Sequence, residues 1–437
     1  FLCSSIFLLI SALTFSQAGR LDYSFFGLSN ITGQINSFAN QSDGKTIIVG
    51  SFTSINGTNI NRVARLNIDG SLDSTFNVGT GILGGFLLNV NQVVVQPDDK
   101  ILIGGTFNTY NGNSSPNLVR LNPNGEIDNT FNIGTGFVGI WDIFATYTVN
   151  SVTKIKIKSN GQIVIAGGFS SYNGTNVKRL LVLNADGSID NSFNADHLSS
   201  SVTNVQTSIS AIELQNDSKI ILHLSYRTKT SSSLALATYT EETFLKRINA
   251  NGSIDTSFTK NNIIFSTGSS NGNTSINPAK IVRDIFCYTD NKILIAGNFI
   301  NVYGNNYKSI ARLSSNGNID NTFSIGSGFN SDIYSIDLQI DNKIIAGGNF
   351  TTFNGNNSKG IIRLLNNGGF DSSFNSGNGI TNNTSINYLK VLPNNKILVV
   401  GTFSSYNNIT RNQIARLHLS CNYSPIFDLM VKDSSDD

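Results

Sequence analysis

Seven aspartates, Asp22, Asp73, Asp128, Asp190, Asp255, Asp320 and Asp371, each open the same four-residue step, Asp-x-x-Phe. Carboxylates in such number suggest two chemistries: the paired acids of a sugar hydrolase, or a cluster that holds a metal ion. Repetition speaks against both. A catalytic pair is needed once, whereas seven equivalent aspartates at a fixed distance from a turn read as strand-end acceptors for nearby backbone N–H groups. An arginine recurs upstream at Arg65, Arg120, Arg247, Arg312, Arg363 and Arg416, with Val182 in its place in the third copy. Arg65 is expected to lie across a hairpin from Asp73. The preceding Asn-x-Asp-Gly lacks the alternating ligands and closing Glu of an EF-hand loop, so turn chemistry explains it and calcium is only a weak expectation.

The three histidines, His197, His223 and His418, are isolated, and no His-Glu-x-x-His, Cys-x-x-Cys or Gly-x-Ser-x-Gly arrangement occurs. Zinc and serine-nucleophile chemistry therefore have no motif to rest on, and no catalytic or metal-binding residue is assigned. Gly104-Gly105 and Gly167-Gly168 belong to a strand repeat, not to a phosphate loop opening a helix. Residues outside the repeat are better candidates for function. Phe137, Trp141, Asp142, Phe144 and Tyr147 cluster in one stretch that holds the only tryptophan. They suit stacking on sugar rings or anchoring a protein partner, and equally a hydrophobic loop packed on its own unit. Asp142, Asp196 and Asp284 are the carboxylates an enzyme would draw on.

The elements that position these residues follow from the repeat. Besides the Asp-x-x-Phe half, each copy has a run such as Lys100-Ile101-Leu102-Ile103 that closes on Phe52, Phe107, Phe169, Phe299, Phe350 or Phe403, with Tyr226 in the fourth copy. Successive aspartates lie 51 to 65 residues apart, long enough for about four short strands with turns. From the closing Phe to the next Asp the distance is 21 residues in five copies and 29 from Tyr226 to Asp255. Strands do not absorb insertions and surface loops do, which makes 132–155, 194–213 and 259–284 the variable loops, with an insertion at 228–240. Short branched apolar runs bounded by Asn, Asp and Gly read as buried strands. Residues 65–73 are symmetric about Asp69, which predicts a three-residue hairpin loop with Gly70 at positive φ.

The chain opens on an Asp-x-x-Phe half at Asp22 and ends on the strand that should precede one, Gln413 to Leu417. The N-terminal strand is thus expected to complete the last unit and remove an exposed edge. The fold class expected is all-β: a seven-bladed propeller of four-stranded antiparallel blades.

Composition bounds the function classes. The 437 residues are 39% hydrophobic and only 13% charged, with a net charge of +2, so nucleic acid is not an expected partner. Residues 1–15 are mostly apolar and lead into Ser16-Gln17-Ala18, which reads as a secretory signal peptide cut after Ala18. Secretion or cell-surface display follows as an expectation, with no membrane span after cleavage. Cys3 would leave with the signal; of the others, Cys287 sits in an apolar strand context and Cys421 lies in the tail.

Together the two motif halves resemble the delta-60 repeat of bacterial secreted and surface proteins, over nearly all of residues 20–417. The resemblance implies a β-propeller of largely uncharacterised function, and it brings no catalytic residues. The fourth copy departs from it at Leu222-His223-Leu224-Ser225-Tyr226. Domains are expected at 1–18 (signal), 19–418 (propeller) and 419–437 (tail). The function expected is an exported, monomeric binding or display module for a carbohydrate or protein ligand. The alternatives are an extracellular polysaccharide hydrolase or lyase and a structural spacer.

Overall fold

The computed structural model describes residues 17–85, 87–142, 147–149, 151–199, 205–229, 239–258, 268–270 and 281–420. Among the described residues, apart from one 3-10 turn at Asp196–Leu198, the regular elements are all strands. No helix among the described residues is long and apolar enough to cross a membrane.

The same arrangement recurs in seven consecutive units. In the first, strands Ile35–Asn40, Thr46–Gly50 and Val63–Leu66 form one antiparallel sheet in that order. The inner strands of the later units are Asn89–Val95, Val152–Ile157, Val205–Leu214, Val282–Cys287, Ile333–Leu338 and Ile386–Leu392. The second and third strands are buried along their whole length, which is why they read as unbroken apolar runs. Where a fourth strand was expected there is a single bridge, such as Leu66 to Leu72 or Leu121 to Ile127. The hairpin between them is the symmetric one: Asn67 N–H donates to Ser71 O, and Gly70 has φ +85°. Asp69 Oδ1 accepts from both the backbone N–H and the hydroxyl of Ser71, the turn chemistry expected of it.

Sheets pack face to face. Seven apolar clusters occur among the described residues, each shared by two neighbouring units. One of them joins Leu398, Val400 and Ile414 of the seventh unit to Phe25, Ile35 and Phe38 of the first. At roughly 1.5–3 kcal/mol for each fully buried large apolar side chain, these interfaces outweigh every exposed ion pair in the molecule.

A second set of ties crosses the same interfaces at the end where the tight turns lie. Arg65 Nε donates to Asp73 Oδ2 at 2.7 Å, Lys45 approaches the same oxygen at 3.0 Å, and the guanidinium stacks on Phe76. Its Nη1 reaches Pro123 O in the next unit. Arg120, Arg247, Arg312 and Arg363 do likewise with Ala185, Ser315, Asn366 and Leu419. Arg416 reaches Ile68 O, from the seventh unit to the first. In the third unit, where Val182 replaces the arginine, Gln162 Nε2 donates to Asp190 Oδ2 instead.

The N-terminal segment lies against the last strand, Ile414–His418. Leu21 bridges Leu417, Asp22 pairs with Arg416 at 2.7 Å, and the Tyr406 hydroxyl donates to Gly19 O as Tyr110 does to Gly125 O. Ala18 is buried there, its carbonyl accepting from Asn375 N–H. Residues 1–16, the body of the expected signal, and most of the 419–437 tail lie outside the described residues.

One glycine explains the end of the repeated Gly-x-Phe run. A Cβ on Gly50, Gly167, Gly297 or Gly401 would sit at 2.0 Å or less from the carbonyl oxygen of the residue that precedes the inner strand. This close approach accompanies a one-residue bulge in the inner strand, after which the chain turns away into a separate small sheet. The fourth unit carries Leu224 at this register position, and its ladder runs on through the ten-residue strands Val205–Leu214, Ile220–Lys229 and Tyr239–Ile248. The departure from the repeat at 222–226 is therefore a long projecting sheet.

Candidate functional site

The inner strands contact one another in order, and the last contacts the first, so their inward faces line a common channel. Within each strand the residue after the bulge and the one two positions on face that channel, while the residue between them packs into the sheet interface. The interface positions are Phe38, Val93, Ile155, Ile212, Ile285, Ile336 and Leu389, all apolar and buried. The channel positions differ from unit to unit: Ser37 and Ala39, Gln92 and Val94, Lys154 and Lys156, Ala211 and Glu213, Asp284 and Phe286, Ser335 and Asp337, Tyr388 and Lys390.

One arc of this wall is neutral. Asn36 Nδ2 donates to Asn89 Oδ1, Asn89 Nδ2 to Asn91 Oδ1 and Asn91 Nδ2 to Val152 O, a ladder of amides across three units. The rest is charged. Lys156 pairs with Glu213, and burial, which disfavours its ammonium, is outweighed by that carboxylate, so its pKa is raised. Lys390 pairs with Asp337 at 3.2 Å with the same outcome. Burial pushes the Asp284 carboxyl above its ordinary value against the charge of Lys154, and burial pushes the Lys154 amine below its own against the charge of Asp284. Asp284 Oδ2 accepts from Ile336 N–H at 2.9 Å and from Ser335, tying the fifth unit to the sixth. Arg283 pairs with Asp332 and stacks 4.8 Å from the centre of the Tyr334 ring.

Tyr334 also lines a cleft of about 330 Å³ between the sixth and seventh units, with Asn349, Thr351, Lys359, Asn382 and Ser385. Amides and hydroxyls dominate it. The cleft, the loops that precede the inner strands and the long fourth-unit sheet lie at the end of the molecule opposite the arginine ties.

The sequence candidates are placed differently. Phe137 is 2% exposed and packs between Phe169 and Tyr172, so it belongs to the core and not to a ligand surface. Trp141 and Asp142 lie in strand Phe137–Asp142, and Asp142 pairs in register with Tyr147; Phe144 lies outside the described residues. Asp196 is on the 3-10 turn and accepts from Lys178 N–H. Asp284 belongs to an inner strand, as do 152–155 and 205–213, so the elastic segments end earlier than their spacing indicated. The aspartates of the Asp-x-x-Phe step sit at the opposite end: Asp73, Asp128, Asp255, Asp320, Asp371 and Asp22 each pair with their arginine at 2.7–2.8 Å. Cys287 is half-buried, and burial pushes its thiol up and keeps it unreactive. His223 is buried and hydrogen-bonded to Ser210, with its pKa pushed down to about 3 by burial, so it stays neutral. Among the described residues no group of three or more His, Cys, Asp or Glu could hold a metal ion.

The model of the family described as "Domain of unknown function (DUF5122) beta-propeller" matches residues 41–76, 96–131, 158–193, 237–258, 289–323, 339–374 and 392–420, more than half of the chain. The chain belongs to this DUF5122 β-propeller family. The comparison with curated proteins returns no match. Similar solved structures include the WD40 β-propeller domain of Doa1, at 13% identity and TM-score 0.49, with 92% of this propeller and 95% of that chain covered. The polysaccharide lyase Uly1 aligns at 11% identity and TM-score 0.42, covering 93% and 94%. A calcium-binding regucalcin from Agrobacterium tumefaciens aligns at 10% and 0.36, covering 95% and 99%. At these values none of the three bears on what this propeller does.

Proposed function

We propose that the chain is an exported, seven-bladed propeller closed by its N-terminal strand, acting as a monomeric binding or display module for a carbohydrate or protein ligand, without a cofactor. Closure is supported by the tie from Arg416 to Ile68, by the apolar cluster shared between the seventh and first units and by the Leu21–Leu417 bridge. Export and surface display rest on the apolar run at 1–15 and the Ser16-Gln17-Ala18 step.

One observation carries the binding reading. The core and the Arg–Asp ties recur from unit to unit, whereas the channel wall differs in each and gathers charge, amide and aromatic groups. A wall whose side chains vary while the frame around it repeats is where recognition can be written. The ligand enters from the end that bears the variable loops.

A second reading, a polysaccharide hydrolase or lyase, draws on Glu213, Asp284 and Asp337, three non-repeated carboxylates in the same channel. It is the lesser one, because Glu213 and Asp337 are each closed by a lysine and Asp284 is engaged by backbone N–H groups. A glycan array probed with and without calcium, followed by chromatography of the bound glycans, separates the two. Retention without cleavage is the expected result; released oligosaccharide would make the protein an enzyme, and silence would leave a spacer.

A further inference from the structure

Two of the three lysines at the channel positions are closed by a carboxylate, Lys156 by Glu213 and Lys390 by Asp337, as is the adjoining Arg283 by Asp332. Lys154 is not. Asp284, the carboxylate that acts on it most strongly, forms no ion pair with it and directs its oxygens to Ile285 N–H, Ile336 N–H and Ser335.

The groups on either side of Lys154 are neutral. At the equivalent place in the next unit stands Ala211, the smallest side chain of that ring. In the unit before, Gln92 uses its Oε1 to accept from Ile155 N–H at 2.8 Å, which fixes the amide beside Lys154 and leaves its N–H group to donate. The amide ladder of Asn36, Asn89 and Asn91 continues from there as a neutral wall.

A half-buried ammonium without a partner is costly, and an anion that brings its own charge relieves that cost. We infer that the channel receives a ligand through a carboxylate that Lys154 binds, with the Gln92 amide as second donor. This rests on the binding reading above and narrows the ligand class to small polar solutes or sugars bearing a carboxylate. Lys156, Glu213 and Asp284 are the other charged groups that act on Lys154. The first and second of these neutralise each other, and Asp284, held by Ser335 and two backbone N–H groups, acts on Lys154 without forming an ion pair with it, which leaves the ammonium free to take a carboxylate directly.

Calorimetry on the full chain tests it with three probes: D-glucuronate, its neutral counterpart D-glucose, and succinate as a carboxylate without a sugar ring. The expected result is that D-glucuronate binds, that Lys154→Met weakens it by about tenfold or more, and that Lys154→Arg restores it. Succinate binding would place the recognition in the carboxylate alone; its failure beside D-glucuronate would require the sugar as well, and either supports the inference. In wild type, affinity should fall as pH rises at values below the ordinary lysine range, while Lys154→Arg holds its affinity there. Because Lys154 makes no structural bond, Lys154→Met should melt at or above the wild-type temperature. D-Glucose binding as well as D-glucuronate, or Lys154→Met binding unchanged, would overturn the inference and leave the binding module standing. If no probe binds while the glycan array is also silent, both fall.

Discussion

At the scale of single residues, the buried Arg–Asp pairs are where a small change has the largest effect. Both partners are nearly inaccessible, and the arginine also caps a phenylalanine and ties the next unit. Arg120→Ala should cost about 3–5 kcal/mol in urea unfolding, because it leaves Asp128 buried with only the half-exposed Lys100 nearby. The same carboxylates set the acid limit. Burial raises Asp22 and Asp320, but the hydrogen bonds from Ser24 and Thr322 and the charges of Arg416 and Arg312 outweigh it, and both carboxyls sit at about 2 against an ordinary 3.8. A depressed folded-state pKa contributes stability above the unfolded value and loses it as pH falls through the folded one. Stability should therefore be level down to about pH 4 and decline between about 4 and 2, which circular dichroism along an acid titration would check; a decline centred near pH 6 would refute it.

At the scale of elements, the tight turns were legible in the sequence because Asn-x-Asp-Gly-Ser carries its own turn chemistry, and the Asp–Arg registry followed from the symmetry of residues 65–73. The bulge was not. Gly167 looked like one more strand glycine, yet its role is spatial, with Ser151 O lying 2.0 Å from where a Cβ would be. Gly167→Ala should lose about 3 kcal/mol, read as a fall in urea midpoint with unchanged slope. A fourth short strand was expected in each unit and is a single bridge, such as Leu66 to Leu72. Removing residues up to Asp22 takes the fourth strand from the seventh unit and leaves Arg416 buried beside no carboxylate. Limited proteolysis should then cut within 396–418, where the intact chain resists.

At the scale of the whole molecule, repetition is both what made the fold readable and what hid the site. Positions such as Phe38, Val93 and Ile155 recur in kind, so their spacing announced a core. Lys154, Glu213, Asp284 and Tyr388 recur in nothing; only the convergence of seven inner strands brings them together. Phe137 shows the converse error: it faces Tyr172 as Ile82, Phe329 and Ile380 face Tyr110, Phe353 and Tyr406, a repeated core position that was read as lying outside the repeat. The claim that fold and function occupy separate positions can be tested on one double variant, Lys154→Met with Asp284→Asn, which removes both charges of a coupled pair and keeps an acceptor for Ile336 N–H. Binding of the ligands found on the glycan array should be measured for wild type, this variant and Trp141→Ala, each with its melting temperature. The account predicts that the channel variant melts as wild type does and loses binding, while Trp141→Ala keeps it. Full binding by the channel variant, or loss confined to Trp141→Ala, would contradict it.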